Sequence, residues 1–272
     1  MIMKRFLSIA FLSAVLCLNT WAQEPIVILH TNDTHSQIEP LKNEDGSISG
    51  GIYDRAAIID QTRKAYKNVL LVDAGDFCQG TPYFNYFKGA TEVHFMNMLG
   101  YMAATLGNHE FDNGSRKLAK ALKKAEFPVV CSNYIFFNKQ LNSIVKKYVV
   151  LEIGGKRIGI FGLLTDIKSL TQPQNYKELK YLNAIDVADC MVKELRETEN
   201  CDYVICLSHL GFDKGTENNP DDIMLATQVK GINVIVGGHT HTILEKPKII
   251  NGTIIVQTGK KGARIGKLII DN

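Results

Sequence analysis

The sequence has no Cys-x-x-Cys pair, although six cysteines occur among its 272 residues. A zinc site built from thiolates is therefore not expected. Beyond residue 23 the number and the uneven spacing of the cysteines do not describe a disulfide framework. A bridge between Cys190 and Cys201 is left open. Cys131 and Cys206 lie in apolar, strand-like runs, which predicts buried thiols.

Two glycine-rich phosphate-binding patterns are also missing. Neither Gly-x-x-x-x-Gly-Lys-Ser/Thr nor a Gly-x-Gly-x-x-Gly between a strand and a helix occurs in the sequence, which argues against both common nucleotide-binding loops. Charge of one sign is not in excess either, because 31 basic residues stand against 28 acidic ones. Without the basic stripe that such proteins carry, we expect no nucleic-acid polymer as a partner.

No apolar run is long enough to span a bilayer as a helix, which takes about 20 residues. The longest, Phe6–Leu18, follows two basic residues and is followed by the small residue Ala22. This order is typical of a signal peptide. We therefore expect residues 1–22 to be cleaved after Ala22. Residues 23–272 would then be an exported protein, periplasmic or at the cell surface, without a transmembrane segment.

What the sequence does contain is a set of polar side chains at the ends of five apolar, strand-like runs. In chain order they are Asp33 and His35; Asp76; Asn108, His109 and Asp112; His209; and His239 and His241. In α/β proteins, sites collect at the carboxyl ends of strands. Taken singly, such a loop is equally well explained as a turn or a capped helix start. Five of them in order, with five of the seven histidines, predict one shared site.

The residue types at these strand ends indicate a metal centre. Carboxylate, imidazole and amide oxygen without thiolate suit Zn, Mn, Fe or Co better than Ca. The ligand candidates are Asp33, His35, Asp76, Asn108, His209, His239 and His241. They exceed what a single ion with an open position needs. Two divalent ions ~3.5–4 Å apart, bridged by one carboxylate, would use them all.

The chain resembles the calcineurin-like metallophosphoesterase superfamily in five motifs: Asp33-x-His35, Gly75-Asp76, Gly107-Asn108-His109-Glu110, His209 and Gly238-His239-x-His241. Three longer segments, His-Thr-Asn-Asp-Thr-His, Gly-Asp-Phe-x-x-Gly-Thr-Pro and Gly-Asn-His-Glu-Phe-Asp, are similar to its exported 5′-nucleotidase branch. That branch includes UDP-sugar hydrolases and 2′,3′-cyclic nucleotide phosphodiesterases. The resemblance spans nearly all of residues 23–272. It implies an α/β fold, a four-layer α/β/β/α sandwich with a dinuclear metal site at strand ends.

The resemblance also implies a role for each site residue. One metal would be held by Asp33, His35 and His241, the other by Asn108, His209 and His239, and Asp76 would bridge them. His109 would be the catalytic histidine. It would contact the phosphate together with Asn108, while Asp112 orients it. The attacking group would be a metal-bound hydroxide that bridges the two ions, so no covalent phosphoenzyme is expected.

Two features depart from the nucleotidase branch. Its members often have glutamine where His241 stands, which leaves the identity of the metal open. They also carry a second, nucleoside-binding domain, which is absent from residues 23–272. The implied activity is hydrolysis of nucleotide phosphoesters. The alternatives are a phosphohydrolase with a non-nucleotide substrate and a catalytic subunit that needs a separate chain for nucleoside binding.

The stretches between the motifs give further expectations. The sequence predicts helices at 53–67, 91–99, 115–126 and 183–197, a hairpin of 149–153 with 157–161, a loop at 166–181, and final strands at 254–257 and 265–270 joined by a glycine turn. His94 is expected on a helix surface, and Asn133 could line the same cleft as the metal ligands.

Overall fold

The computed structural model describes residues 24–42 and 45–270. The expected signal peptide lies outside the described residues. The strands are β1 (Ile26–Thr31), β2 (Leu41–Lys42), β3 (Ile48–Ser49), β4 (Asn68–Asp73), β5 (Ala103–Thr105), β6 (Val129–Val130), β7 (Tyr134–Phe136), β8 (Tyr148–Ile153), β9 (Lys156–Leu164), β10 (Leu179–Tyr181), β11 (Tyr203–His209), β12 (Val234–Gly237), β13 (Lys248–Ile250), β14 (Thr253–Val256) and β15 (Gly266–Ile270). The α-helices are α1 (Gly51–Ala65), α2 (Pro82–Phe87), α3 (Ala90–Leu99), α4 (Gly114–Leu122), α5 (Lys139–Ile144), α6 (Pro173–Tyr176), α7 (Ala184–Lys193) and α8 (Asp222–Gln228).

Two larger sheets carry the fold. The first has the strand order β15-β1-β4-β5-β6 and is parallel except for β15. The second has the order β13-β14-β12-β11-β9-β8, with a parallel centre and antiparallel strands at both edges. The hairpin predicted at 149–153 and 157–161 is formed by β8 and β9, with β8 at the edge. Helices α1, α3, α4 and α7 correspond to the four predicted helices.

Apolar side chains of neighbouring residues enter different interfaces between these layers. Ile28 of β1 and Ile205 of β11 belong to a cluster between the two sheets. Leu29 packs on the other face of the first sheet, in the cluster that includes α1, α3 and α4. Cys206 packs on the face of the second sheet that points away from the first sheet, in the cluster that includes α7 and α8. Strands buried on both faces read as continuous apolar runs. The three clusters thus lie between helices and the first sheet, between the two sheets, and between the second sheet and helices, which is consistent with an α/β/β/α sandwich. The α/β fold class is confirmed.

The expectation of a loop at residues 166–181 is wrong. This segment contains the short helix α6 and the strand β10, which pairs antiparallel with β7. Lys180 lies opposite Ile135 in that ladder. The pairing partner is distant in the sequence, and strand formation in such a polar segment depends on that partner more than on local propensity.

The final strands do not form a hairpin around their glycine turn. β14 belongs to the second sheet and β15 to the first, so residues 257–265 cross from one sheet to the other. The crossing segment contacts the first polar loop, because Lys261 N donates a hydrogen bond to Asp33 O at 2.7 Å. The glycine turn therefore links the two sheets beside the predicted site.

The five cysteines among the described residues are free thiols. Cys131 and Cys206 are buried thiols, as predicted, and Cys190 is an exposed one. Cys201 is also free, so Cys190 and Cys201 are not bridged. Among the described residues, no helix has both the length and the apolar character that crossing a bilayer requires.

His30 of β1 is a buried imidazole outside the predicted ligand set. Its Nδ1 is buried without a hydrogen-bond partner, and a Cβ at Gly266 on β15 would lie 1.9 Å from its Nε2. Burial lowers the pKa of His30 to about 4. The imidazole is therefore neutral in the folded protein at pH values where it would be half protonated in the unfolded chain.

We expect His30 to weaken the fold in acid. Between pH 6.5 and about 4 the unfolded state binds a proton that the folded state excludes. The free energy of unfolding therefore decreases as the pH is lowered through this range. The lowered pKa corresponds to about 3 kcal/mol once both pKa values are passed. His30→Leu removes this contribution. Urea unfolding of both proteins at pH 7 and 4.5, with chelator present throughout, measures the difference. Equal declines in the two proteins would contradict the assignment.

Candidate metal centre

The five polar loops meet where the two sheets present the carboxyl ends of their parallel strands. β1, β4 and β5 deliver the first three loops from one sheet, and β11 and β12 deliver the last two from the other. Contacts cross the gap between the sheets, since His209 Nδ1 lies 2.7 Å from Ala74 O. The five loops, which are far apart along the chain, thus form one cluster in space.

The first group of side chains consists of Asp33, His35 and His241. The Nε2 atoms of His35 and His241 lie 3.1 Å apart. Asp33 Oδ1 is 3.4 Å from Nε2 of His241 and 3.9 Å from Nε2 of His35. One potential ligand atom from each residue lies within 4.8 Å of the others. This is the set that the resemblance implies for one metal.

The second group consists of Asp76, His209 and His239, whose potential ligand atoms also lie within 4.8 Å of one another. Nε2 of His209 is 3.1 Å from Asp76 Oδ2. The short contact with Ala74 O is satisfied when Nδ1 of His209 carries the proton, which leaves the lone pair of Nε2 directed at the cluster. Asp76 also groups with His35 and His109, so its carboxylate lies between the two sets.

Three buried atoms of the predicted ligands have no hydrogen-bond partner among the described residues: Nδ1 of His35, Oδ1 of Asn108 and Nε2 of His209. The Nε2 of a neutral His209 faces Asp76 Oδ2, which is also an acceptor. A buried lone pair without a donor costs free energy, so such an atom in a folded protein calls for an explanation. A divalent cation accepts lone pairs from amide oxygen and from imidazole nitrogen. The donor set therefore fits divalent metal ions.

The backbone at the predicted ligands is unusual. Positive φ angles occur at Asp33 (50°), His35 (47°), Asp76 (54°), His239 (74°) and His241 (54°). Residues with a Cβ rarely adopt this left-handed conformation, and it persists where the surrounding structure enforces it, often at functional sites. Asp33 with His35, and His239 with His241, therefore project from sharp turns and not from extended segments.

Gly107 is required by close approach between two loops. A Cβ at this position would lie 2.1 Å from Asp76 Oδ1 and 2.6 Å from Asp76 N. A side chain at residue 107 would thus displace the carboxylate that the two ligand groups share. Its neighbour in the motif, Gly114, has a positive φ of 75° and begins α4.

The ionisable groups of the cluster shift one another's pKa values. Burial alone would lower the pKa of His209, but the charge of Asp76, with that of Asp33, raises it to about 10. Burial would raise the pKa of Asp76, but His209 holds it well below its usual range. The pKa of His239 falls to about 4, through burial first and His209 second. The carboxylates thus favour positive charge in the cluster, and a neutral His239 suits coordination of a cation.

His109 and Asp112 form a hydrogen-bonded pair at the mouth of the cluster. Nδ1 of His109 lies 2.8 Å from Asp112 Oδ2, and both side chains are partly exposed. Burial alone would lower the pKa of His109, but the hydrogen bond to Asp112 and the charge of Asp76 raise it above its usual value. Asn175 of α6 donates to Asp112 O at 2.8 Å. The segment expected to be a loop therefore supports this pair, which no local signal in the sequence indicated.

The structure corrects the prediction for Asn133 and adds Asn32 to the residues that support the site. Asn133 does not line the cleft. It is fully buried, and its side chain hydrogen-bonds Leu164 N and O at 2.9 and 2.7 Å. Asn32, which was not singled out, donates to Asp33 Oδ2 at 2.6 Å and to Gly259 O at 2.7 Å. Asn32 thus ties the first ligand loop to the crossing segment. His94 is exposed, as predicted.

Glu110 connects two ligand loops from beneath. Its buried carboxylate accepts hydrogen bonds from the backbone N–H groups of Asp76 and Cys78, each at 2.9 Å, and from Gly107 N at 2.5 Å. These donors belong to the loop after β4 and the loop after β5. Only an acceptor at both oxygens satisfies all three donors. Glu110 thus fixes the position of Asp76 relative to Asn108.

We expect Glu110→Gln to lower metal affinity by about 10–100-fold, as loss of a group supporting a ligand commonly does. The amide NH₂ would face a backbone N–H and push the two loops apart. Titration of metal into chelator-treated protein, followed with a metallochromic indicator, measures the affinity. Asp221→Asn is the matched control, because this buried carboxylate also accepts from three backbone N–H groups, those of Lys214, Gly215 and Met224, and none of them lies in the loops after β4 and β5. Unchanged affinity in a folded Glu110→Gln protein would contradict the proposed clamp.

Comparison with known proteins agrees with this geometry. Residues 26–242 match the family model of the calcineurin-like phosphoesterases. Snake venom 5′-nucleotidase from Naja atra is 38% identical over 231 residues, which cover 80% of this chain and 41% of the venom protein. The chain spans less than half the length of the curated relatives it matches.

Solved structures of similar proteins indicate the same family. The crystal structure of a 5′-nucleotidase precursor from Thermus thermophilus has a TM-score of 0.81 and 34% identity, covering 90% of this chain and 51% of that one. The NAD nucleotidase of Haemophilus influenzae has a TM-score of 0.79 and 30% identity, covering 90% and 47%. These matches confirm the resemblance carried by the motifs: the chain belongs to the calcineurin-like phosphoesterase family, in its 5′-nucleotidase branch.

Proposed function

We propose that this chain is an exported, metal-dependent phosphohydrolase that hydrolyses nucleotide phosphoesters, as a 5′-nucleotidase does. The observation that carries the proposal is the convergence of the predicted metal ligands beside the His109–Asp112 pair. The names of the relatives support the nucleotide as substrate, since both the venom protein and the Thermus structure are called 5′-nucleotidases. Export rests on the signal-peptide pattern of residues 1–22.

The ligand groups suggest how two divalent ions would be held. Asp33, His35 and His241 would bind one ion, and Asn108, His209 and His239 the other, with Asp76 shared. Zn, Mn, Fe and Co suit this donor set. When bound, such a pair supplies an activated water and neutralises charge on a phosphate held between the ions.

The chain's own contribution centres on His109. Asp112 fixes Nδ1 of the imidazole, so Nε2 is the ring nitrogen that can face a phosphate oxygen or the leaving oxygen. The raised pKa of His109 favours the protonated ring. That ring can donate a hydrogen bond to the phosphate and a proton to the departing alkoxide. Asn108, adjacent in the loop, would contact the phosphate from the metal side.

A second candidate has the same chemistry but a different source of specificity. The relatives are more than twice as long as the segment matched here, so their nucleoside recognition can involve parts that lie outside that segment. In this reading a separate chain supplies the nucleoside-binding surface. A phosphohydrolase acting on a non-nucleotide ester is the remaining alternative, because a fold does not determine its substrate.

One assay separates these functions. Phosphate release is measured from AMP, UDP-glucose, 2′,3′-cyclic AMP and p-nitrophenyl phosphate with Mn or Co added. Turnover of AMP or another of the nucleotides well above that of the aryl phosphate supports the proposal. Turnover of the aryl phosphate alone would overturn nucleotide specificity of the isolated chain and favour a separate nucleoside-binding chain or a different ester.

A further inference from the structure

Residues 82–125 concentrate positive charge on one outer face of the protein. They contain six basic residues: Lys88, Arg116, Lys117, Lys120, Lys123 and Lys124. Of their acidic residues, Glu92 and Glu110 are buried and Asp112 is paired with His109, and one exposed carboxylate, Glu126, follows directly after them. The whole chain has a formal net charge of only +3. This face is therefore much more basic than the average of the protein.

Four of these lysines surround exposed aromatic rings. Lys88, Lys117, Lys120 and Lys124 line a shallow concavity of about 420 Å³ together with Tyr86 and Phe87. Phe87 and Lys124 also border an adjacent concavity of about 500 Å³, which is mostly apolar. Among the described residues, no carboxylate lies within 4.0 Å of any of these four ammonium groups. We call this surface the α2–α4 face.

The aromatic side chains of the α2–α4 face project into solvent. Tyr86 is 79% exposed and Phe87 is 57% exposed. A pocket for a small aromatic ligand encloses most of the ligand and its own ring contacts, which these rings do not. The lysines reach outward on flexible stems, without a buried polar group to orient a ligand. The face thus lacks the features of a small-molecule site.

We infer that the α2–α4 face docks the protein onto an anionic phospholipid surface. Tyr and Phe rings enter the boundary between headgroups and acyl chains, and Lys side chains beside them bind acidic headgroups. The strength of such attachment grows with the apolar area buried and with the attraction to anionic lipids, and the α2–α4 face offers both contributions. A bilayer offers dispersed negative charge over an area as wide as this face. An ordinary solvated helix face would have the lysines but not the protruding rings.

Binding to vesicles tests this inference. The expected exported form, residues 23–272, is used so that the apolar leader cannot itself bind lipid. It is mixed with vesicles of phosphatidylcholine alone or with about one third phosphatidylglycerol, and the bound fraction is measured by co-sedimentation at low and high salt. We expect binding only to the anionic vesicles, weakened by salt because the attraction is electrostatic.

Two variants of the α2–α4 face should lose this binding. Reversing three charges in Lys117→Glu/Lys120→Glu/Lys124→Glu should weaken it at least about tenfold, and Tyr86→Ser/Phe87→Ser should weaken it at both salt concentrations. The matched controls are Lys230→Glu/Lys246→Glu/Lys248→Glu, with the same change in net charge at exposed positions outside the α2–α4 face, and Tyr53→Ser, which removes a ring that is 83% exposed. The controls should bind like the unaltered protein.

Three results would overturn the inference. They are equal binding to neutral and anionic vesicles, equal losses in the face variants and their controls, and binding to a fluorescent oligonucleotide with none to anionic vesicles. The last would assign the face to a nucleic acid. Circular dichroism of each variant shows that it is folded, and phosphate release is measured in parallel because no residue of the face belongs to the metal centre.

Discussion

His109→Ala should lower turnover by about 10²–10⁴-fold while the protein retains its metal. His109 belongs to neither of the two groups assigned to the ions, and the third group that contains it shares His35 and Asp76 with those two. Its ring lies at a centroid distance of 5.4 Å from that of His35. Its Nδ1 is engaged by Asp112 at 2.8 Å. Alanine therefore removes a proton donor and a phosphate contact without removing a ligand. Turnover of the best substrate and elemental analysis of the same samples give the two readouts.

Two further variants make this result specific. Asp112→Asn should cause a smaller loss, because the ring remains but its tautomer and orientation are no longer set by a carboxylate. His94→Ala is the control, since this exposed histidine of α3 belongs to none of the groups of potential metal ligands and packs against the ring of Phe95 at a centroid distance of 5.7 Å. Loss of metal along with activity in His109→Ala would make His109 a ligand and reverse the role proposed for it.

The strand ends and the polar side chains that follow them could be predicted from the sequence, because each depends on a short local pattern of residues. Val69 to Val72 is an unbroken apolar run, and Asp76 follows within a glycine-bearing loop. A strand buried on both faces needs such a run, and a site at a strand end needs such a loop. The structure delivers Asp76 from β4 to the same place as His209 from β11, although these strands belong to different sheets.

The missed features depend on partners that lie far away along the chain. β10 is a strand because β7 pairs with it, and Asn175 matters because α6 places it against Asp112. Gly107 is required because Asp76, which is 31 positions away in the sequence, approaches its backbone closely. Asn133 follows a strand as the site residues do, yet the adjacent sheet takes up its hydrogen bonds. Position at a strand end alone does not separate a ligand from a structural amide.

Asp76→Asn should have the broadest effect, because Asp76 is common to two of the three groups of ligand atoms. Its Oδ1 accepts from His109 N at 2.9 Å, and its Oδ2 faces Nε2 of His209 at 3.1 Å. Asparagine has nearly the same volume and can retain the hydrogen bond from His109 N. It removes the negative charge on which both ions would depend, and it places an NH₂ group where a ligand oxygen should be.

We therefore expect Asp76→Asn to hold at most one ion per chain and to lose roughly a thousandfold or more in turnover, since each 1.36 kcal/mol of lost stabilisation is tenfold in rate. Thermal unfolding adds an independent readout. Metal should raise the midpoint of the unaltered protein more than that of the variant, because an ion stabilises only the state that binds it. Asp73→Asn is the matched control: Asp73 is equally buried, its pKa is raised to about 7 chiefly by burial, and its carboxylate accepts hydrogen bonds from Thr31 and Gly75, neither of which is a predicted ligand. Two ions per chain in Asp76→Asn would show that the carboxylate at this position is not needed to hold both ions, and the bridging role assigned to Asp76 would be wrong.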